Sequence, residues 1–240
     1  MESTPTSGQF CVNYEFTMAG LNIAMIPARM GSQRLKRKNL RKLNGTPLIV
    51  RGIRKCIEAS VFDEVWVNSE HSDFQEITER EGAFFHQRPK YLGNNIATSE
   101  QFLKEFLERH ECERLFQVHS IAPLLKIEEI KSFVRTMTEN QYDVLLSYEP
   151  IQIECAFDSR PINFTFFEKT NSQDLNPIQR ITWSISAWRR DSFLDASRNS
   201  VCATYHGKVG FYPVSRWAAH VIKTKEDLKF AEAIIAAGLV

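Results

Sequence analysis

The sequence predicts an α/β protein of three layers, with helices covering both faces of a mainly parallel sheet. Three observations predict it. Short apolar runs recur along the chain, each bounded by turn residues. Segments with apolar residues at helical spacing separate those runs. The alternation breaks once, over a stretch rich in Pro and Asn, and then resumes.

The first residues, MESTPTSGQFCVNYEFT, are polar and rich in Ser and Thr. They lack the basic start and apolar stretch of a signal peptide. Residues 1–20 are expected to form a disordered leader, or to precede a start at Met18. One domain is expected over 21–240.

Asn22 to Ile26 has the continuous apolar character of a buried strand, closed by Pro27. A basic loop follows. From Pro47 to Ser60, Leu48, Ile49, Ile53, Cys56 and Ile57 fall on one helical face. Glu64–Val67 reads as a strand and Phe74–Glu81 as a helix with Gly82 at its C-terminal end. Ala83–His86 reads as a short strand. Ser99, a possible N-cap, and Glu100 open a helix carrying Phe102, Leu103, Phe106 and Leu107. Leu115–Val118 is a strand, Lys126–Met137 an amphipathic helix, and Val144–Ser147 another strand.

Residues 149–180 break the rhythm with Pro150, Pro161 and Pro177, and are expected to leave the core as a pocket wall or subunit contact. Strands return at Ile181–Trp188 and Val209–Val214. Thr224 caps a last helix with Leu228, Ala231, Ile234 and Ile235 at helical spacing. Glu226 and Asp227 fall in its first turn, where the helix dipole favours acids.

Composition narrows the class. The chain has 240 residues, 43% hydrophobic and 25% charged, with net charge +1, which gives no drive toward nucleic acid or an anionic membrane. Five scattered cysteines without a C-x-x-C pair argue against a disulfide framework or zinc cluster and fit a cytoplasmic location. No apolar run approaches the ~18 residues of a membrane span. The histidines show no metal-ligand spacing, and no Ser/His/Asp or Cys/His arrangement is recognisable.

The chemistry concentrates in IPARMGSQRLKRKNL, residues 26–40. This loop leaves a buried strand, so it emerges at the carboxyl edge of the sheet, where such folds bind ligands. Arg29, Arg34, Lys36, Arg37 and Lys38 place five cations within ten residues, a pattern suited to a polyphosphate. Gly31 permits close approach of a ligand to the backbone, and Ser32 adds a hydroxyl donor. On charge alone, a solvated basic loop explains it equally well. The loop matches neither the Walker pattern nor G-x-G-x-x-G.

That loop resembles the signature IPAR-G-GSKR-P-KN of the acylneuraminate (CMP-sialic acid) cytidylyltransferases, with Arg29, Gly31, Ser32, Arg34, Lys38 and Asn39 matching. Further blocks follow in order. GTPLIVRGI, residues 45–53, resembles the helix start after the loop, and VNSE, residues 67–70, stands where the family has V-S-T-D. RPKYLGNNIATS, residues 88–99, resembles R-P-x-x-L-x-x-D-x-A-x-S. SQDLNPIQRITWSIS, residues 172–186, and TKEDLKFAEAII, residues 224–235, resemble later blocks.

The resemblance implies a Rossmann-like nucleotide-diphospho-sugar transferase fold. It implies transfer of CMP from CTP to an acidic, sialic-acid-like sugar with release of pyrophosphate, and a homodimer contacting through the excursion. By match, Arg29 and Lys38 sit on the triphosphate as the catalytic cations. Ala28, Gly31, Ser32, Gln33, Arg34 and Asn39 complete the nucleotide loop. Arg88, Asn95, Ala97 and Ser99 form the base and ribose side, and His119 and Gln173 border the sugar.

The departures fall at the chemistry. Gln33 stands where the family has Lys, and Asn95 where it has Asp. His119 stands where it often has Gln. The two carboxylates that hold Mg²⁺ in the family are Val221 and Lys223 here. Neither side chain offers a magnesium ligand, and Lys223 supplies positive charge instead. Two readings stay open: an active cytidylyltransferase, and a catalytically degenerate member that binds nucleotide or sugar as a regulator or partner subunit.

Overall fold

A computed structural model describes residues 20–240; the leader expected over residues 1–20 lies almost wholly outside the described residues. The chain runs β1 (Asn22–Pro27), β2 (Lys42–Leu43), β3 (Thr46–Pro47), α1 (Leu48–Ala59), β4 (Glu64–Ser69), α2 (Asp73–Arg80), β5 (Phe84–Gln87) and α3 (Ser99–Arg109). It continues with β6 (Arg114–Val118), α4 (Ile127–Glu139), β7 (Val144–Ile151), β8 (Ala156–Phe157), β9 (Arg160–Pro161), β10 (Ile178–Arg189), α5 (Arg190–Arg198), β11 (Val209–Pro213) and α6 (Lys225–Ala236).

Seven strands form one sheet in the order β11-β7-β10-β6-β1-β4-β5. All neighbours are parallel except β10, which runs antiparallel to both β6 and β7. The pleat sorts side chains to two faces. Ala24 and Ile26 of β1 pack with α1, α2 and α4 through Ile53, Phe74 and Phe133. Ile23 and Met25 point the other way, onto Leu103 and Phe106 of α3 and Phe193 of α5. The expected three-layer α/β/α architecture is the one observed.

A smaller cluster decides where the site forms. Leu35 and Leu43, on and after the basic loop, pack against Ile222, Ala231 and Ile234 at and within α6. This apolar contact draws the start of the last helix up to the basic loop, some 190 residues earlier in sequence.

Three local readings differ from expectation. The N-cap of α3 is Thr98, not Ser99: its hydroxyl accepts the Gln101 N–H while the Gln101 side chain accepts the Thr98 N–H. The excursion is shorter than residues 149–180, because β7 extends to Ile151 and pairs with Ile178–Ile181. Helix α5 has no counterpart in the sequence reading. It starts directly from β10 with no side-chain cap to announce it.

Candidate active site

The site lies at the carboxyl ends of β1, β4, β5 and β6, whose following loops converge. Its frame is a buried Arg88. The Arg88 guanidinium, 3% exposed, donates to Asn68 Oδ1 (3.2 Å), the Ala28 carbonyl (3.0 Å) and Glu70 Oε2 (3.0 Å), and stacks 4.8 Å from the Phe102 ring centroid. Glu70 uses its other oxygen to accept the Met30 N–H at 2.9 Å. One ion pair therefore locks the start of the basic loop to β4 and to the turn after β5. Glu70 was not singled out from sequence, because its partners lie 18 and 40 residues away.

Asn39 fixes the other end of the loop. Its amide nitrogen donates to the Arg29 carbonyl (3.3 Å), and its Oδ1 accepts from the Ser120 hydroxyl (3.0 Å) just past β6. Arg29 reaches across to the loop before α3, donating to Asn95 Oδ1 (3.0 Å) and the Asn94 carbonyl (3.3 Å). The Asn94 side chain holds that turn by accepting from the Ile96 and Ala97 N–H groups.

These contacts wall a cavity of about 220 Å³ lined by Ala28, Arg29, Lys38, Asn39, Arg88 and Phe102, closed by His119 and Ile121. His119 and Ile121 also line a second cavity of about 520 Å³. That one is walled by Trp183 and Arg180 of β10, by Arg216 and Trp217, and by His220, Lys223 and Asp227 at the start of α6. Trp183 takes a left-handed φ of 60° where β10 loses register with β7, a conformation costly for a bulky side chain and typical of ligand sites.

The basic loop is two-faced. Gly31, Ser32 and Gln33 line a separate groove of about 710 Å³ with Lys36 and Arg37, while Ala28, Arg29, Lys38 and Asn39 face the first cavity. A Cβ built on Gly31 meets no atom within 4 Å, so packing places no demand for glycine there. Arg34 is exposed but close enough to bear on Lys38.

The remaining expected residues lie apart from the cavities described here. Asn95 is exposed, Ala97 forms part of the turn, and exposed Ser99 is the first residue of α3. Gln173 is exposed on a short turn, its carbonyl accepting from Gln152.

Cations converge where the cavities meet. Burial, then Arg34, Arg29 and Lys223, push the Lys38 ammonium down to about 8, with Asp227 opposing weakly. So much like charge, with Asp227 the one carboxylate among the described residues acting against it, suits a polyanion. Burial and then Lys38 hold the His119 imidazole down at about 4, so it is neutral at pH 7.

Magnesium does not fit this corner. Val221 offers no ligand and Lys223 is cationic. The Asp227 Oδ2 already accepts the Lys223 and Thr224 N–H groups, both at 2.8 Å. Among the described residues no group of three His, Cys, Asp or Glu side chains is arranged to hold a metal ion, and no helix is long and apolar enough to cross a membrane.

Comparisons with known proteins agree with this architecture. A family model described as cytidylyltransferase matches residues 23–234. N-acylneuraminate cytidylyltransferase A of Danio rerio is 27% identical over 189 residues, covering 74% of this chain and 42% of that protein. Pseudaminic acid cytidylyltransferase of Campylobacter jejuni is 27% identical over 229 residues, covering 88% of this chain and 94% of that protein. The chain thus spans less than half the length of the Danio rerio relative. A solved structure of a CMP:2-keto-3-deoxy-manno-octonic acid synthetase complexed with CTP superposes with a TM-score of 0.68 at 15% identity, over 91% of this chain and 99% of that one. That likeness establishes the fold.

Proposed function

The chain belongs to the cytidylyltransferase family, and from that premise we propose that it transfers CMP from CTP to an acidic sugar, releasing pyrophosphate. The observation that carries the proposal is the meeting of two cavities at a corner supplied with Arg29, Lys38 and Lys223. One cavity, under Arg88 and Phe102, takes the nucleotide. The other, with Arg180, Arg216 and two tryptophans, takes a carboxylated sugar of the sialic or pseudaminic acid class. The α-phosphorus sits between them.

Transfer of this kind asks the protein for position and charge rather than covalent chemistry. Arg88, Glu70 and Asn39 hold the loop rigid. Arg29 and Lys38 neutralise the triphosphate, and Lys223 adds a fixed positive charge at the position where the family carries a magnesium carboxylate. Gln33, Ser32 and Gly31 serve the outer face of the loop, where open space at Gly31 leaves room for backbone approach. Asn95, Ala97 and Ser99 belong to the base and ribose side, joined to the site through Arg29, and Gln173 borders the sugar at its outer edge.

The protein works in the cytoplasm as a single domain over residues 21–240 and forms a homodimer. The segment between β7 and β10 supports that last reading, with Phe157 and Phe166 about three-quarters exposed and Phe167 fully exposed.

The misfit of magnesium favours a second reading, a member that binds nucleotide or sugar without turnover. Pyrophosphate release from CTP with a panel of nonulosonic and octulosonic acids, with and without Mg²⁺, separates the two. The transferase reading expects release with one sugar and weak metal dependence, and Lys38→Ala removes turnover and weakens CTP binding. CTP binding with no release from any sugar favours the binding protein, in which Lys38→Ala weakens binding alone. Turnover that requires Mg²⁺ steeply counts against the role given to Lys223.

A further inference from the structure

We propose that His119 is the general base of the reaction, taking the proton from the sugar hydroxyl that attacks the α-phosphorus. This rests on the transferase reading above and adds the group that reading lacks.

The case begins with position. His119 follows the last residue of β6 and is one of two residues shared by the nucleotide and sugar cavities. The other, Ile121, carries no polar group. The imidazole therefore borders both substrate sites. Its backbone is fully engaged: the N–H donates to the Ser184 carbonyl (3.1 Å) and the carbonyl accepts from Ala122 (3.0 Å). Those bonds hold the residue in place while, among the described residues, no side chain hydrogen-bonds its ring. The ring nitrogens are left to the cavities.

The other acceptors near the corner are committed elsewhere. Asp227 spends a carboxylate oxygen on two backbone N–H groups, and those bonds hold it ionised below the ordinary aspartate range, which makes it a poor proton acceptor. Glu149 is ion-paired with Arg180. His220 lines the sugar cavity but not the nucleotide cavity, and its Nε2 donates to the Asp227 carbonyl at 2.8 Å, so only its Nδ1 could accept a proton and it does so away from the shared corner. Lys38, Lys223, Arg29 and Arg88 are cations.

Charge also suits the role. The free imidazole is neutral because it is buried beside Lys38. A bound triphosphate places anionic oxygens against Lys38, cancels that repulsion and makes the imidazole more basic as the substrate arrives. A base becomes more effective as its pKa approaches the working pH.

The step balances. The hydroxyl proton passes to a free ring nitrogen of His119 as the sugar oxygen bonds to the α-phosphorus. The bond from that phosphorus to the bridging oxygen breaks, and its electron pair leaves on pyrophosphate beside Lys38 and Lys223. The imidazolium then returns its proton to water.

Two measurements on the full chain test this. The first follows the His119 ring by NMR on histidine-labelled protein, assigned with His119→Gln, with CTP as the probe. The ring is expected to titrate in the acid range without CTP and at least about one pH unit higher with CTP saturating. CTP binding that leaves its titration unmoved overturns the proposal. The second uses whichever acidic sugar supports pyrophosphate release. His119→Gln is expected to lower kcat by about 100-fold or more. CTP affinity should stay within about threefold, the acid limb of the kcat profile should disappear, and added imidazole should restore turnover to His119→Ala. A His119→Gln enzyme that keeps its kcat and its acid limb rules the base out. If wild-type protein neither binds CTP nor releases pyrophosphate, the transferase reading fails first, by a result distinct from either of these.

Discussion

Glu70 and Arg88 show how one residue pair turns a loop into a site. Arg88 is legible as part of a family block, and by type it reads as a ligand-facing cation. In the structure it is also a clamp, with four polar or aromatic partners drawn from three segments. Its Nε is buried without a partner. Removing the partner of a buried charge is worse than losing a surface ion pair, because the remaining charge stays desolvated. Glu70→Ala should therefore destabilise the fold by about 3 kcal/mol. It should also weaken CTP binding, since the Met30 N–H loses its acceptor as well. Urea denaturation and calorimetry check both; a loss of stability typical of an exposed ion pair would show that Arg88 finds other partners. Arg29 and Lys38 stood out in the sequence as cations of the basic loop, and it was the family resemblance rather than charge alone that assigned them to the triphosphate. Glu70 was not, because its role depends on groups distant in sequence.

At the scale of elements, α6 carries the most functional weight for its size. Thr224 and Asp227 cap it reciprocally: the Thr224 hydroxyl accepts the Asp227 N–H (3.2 Å) and the Asp227 carboxylate accepts the Thr224 N–H (2.8 Å). The same carboxylate holds the Lys223 N–H, so the cap aims Lys223 at the corner. Thr224→Ala should cost about 1 kcal/mol of stability, and it should lower turnover more than a surface cap does because Lys223 loosens with it. Thermal unfolding beside pyrophosphate release measures the two effects; lost stability with intact turnover would separate the cap from the site. This helix was plain in the sequence, since a capping threonine and helical apolar spacing agree. Helix α5 was missed because it follows β10 without a break and its N-cap position, Arg189, makes no side-chain cap. Thr98 and Ser99 are both competent caps, and the reach of Gln101 to Thr98 chose between them.

For the whole molecule, two partly buried histidines make stability depend on pH. Burial, then His86 and Arg109, hold His110 down at about 4, and burial and Lys38 do the same to His119. Both take up protons near pH 6.5 once unfolded. Between about pH 6.5 and 4 the unfolded chain therefore binds more protons than the folded one, and stability falls as pH is lowered through that window. Above it the two histidines are neutral in both states and contribute no slope. Urea midpoints from pH 8 to 4 should fall less steeply in a His110→Gln/His119→Gln double variant than in wild type. Equal slopes would assign the acid sensitivity to carboxylates.

The sequence by itself determined the order of the main strands and helices, the basic loop that leaves β1, and the presence of Val221 and Lys223 where the resembled family has carboxylates. Each of these is local: apolar periodicity, a cluster of cations and residue types at matched positions are written in consecutive residues. Only the tertiary structure decided that β10 inserts antiparallel between β6 and β7. An apolar run is buried on both faces in either direction, so its composition carries no record of its sense. Tertiary structure also decided that Lys223 meets Lys38 and that His119 stands between two cavities. Those meetings depend on Leu35 and Leu43 burying Ile222, Ala231 and Ile234, a hydrophobic contact between distant segments whose direction no local pattern encodes.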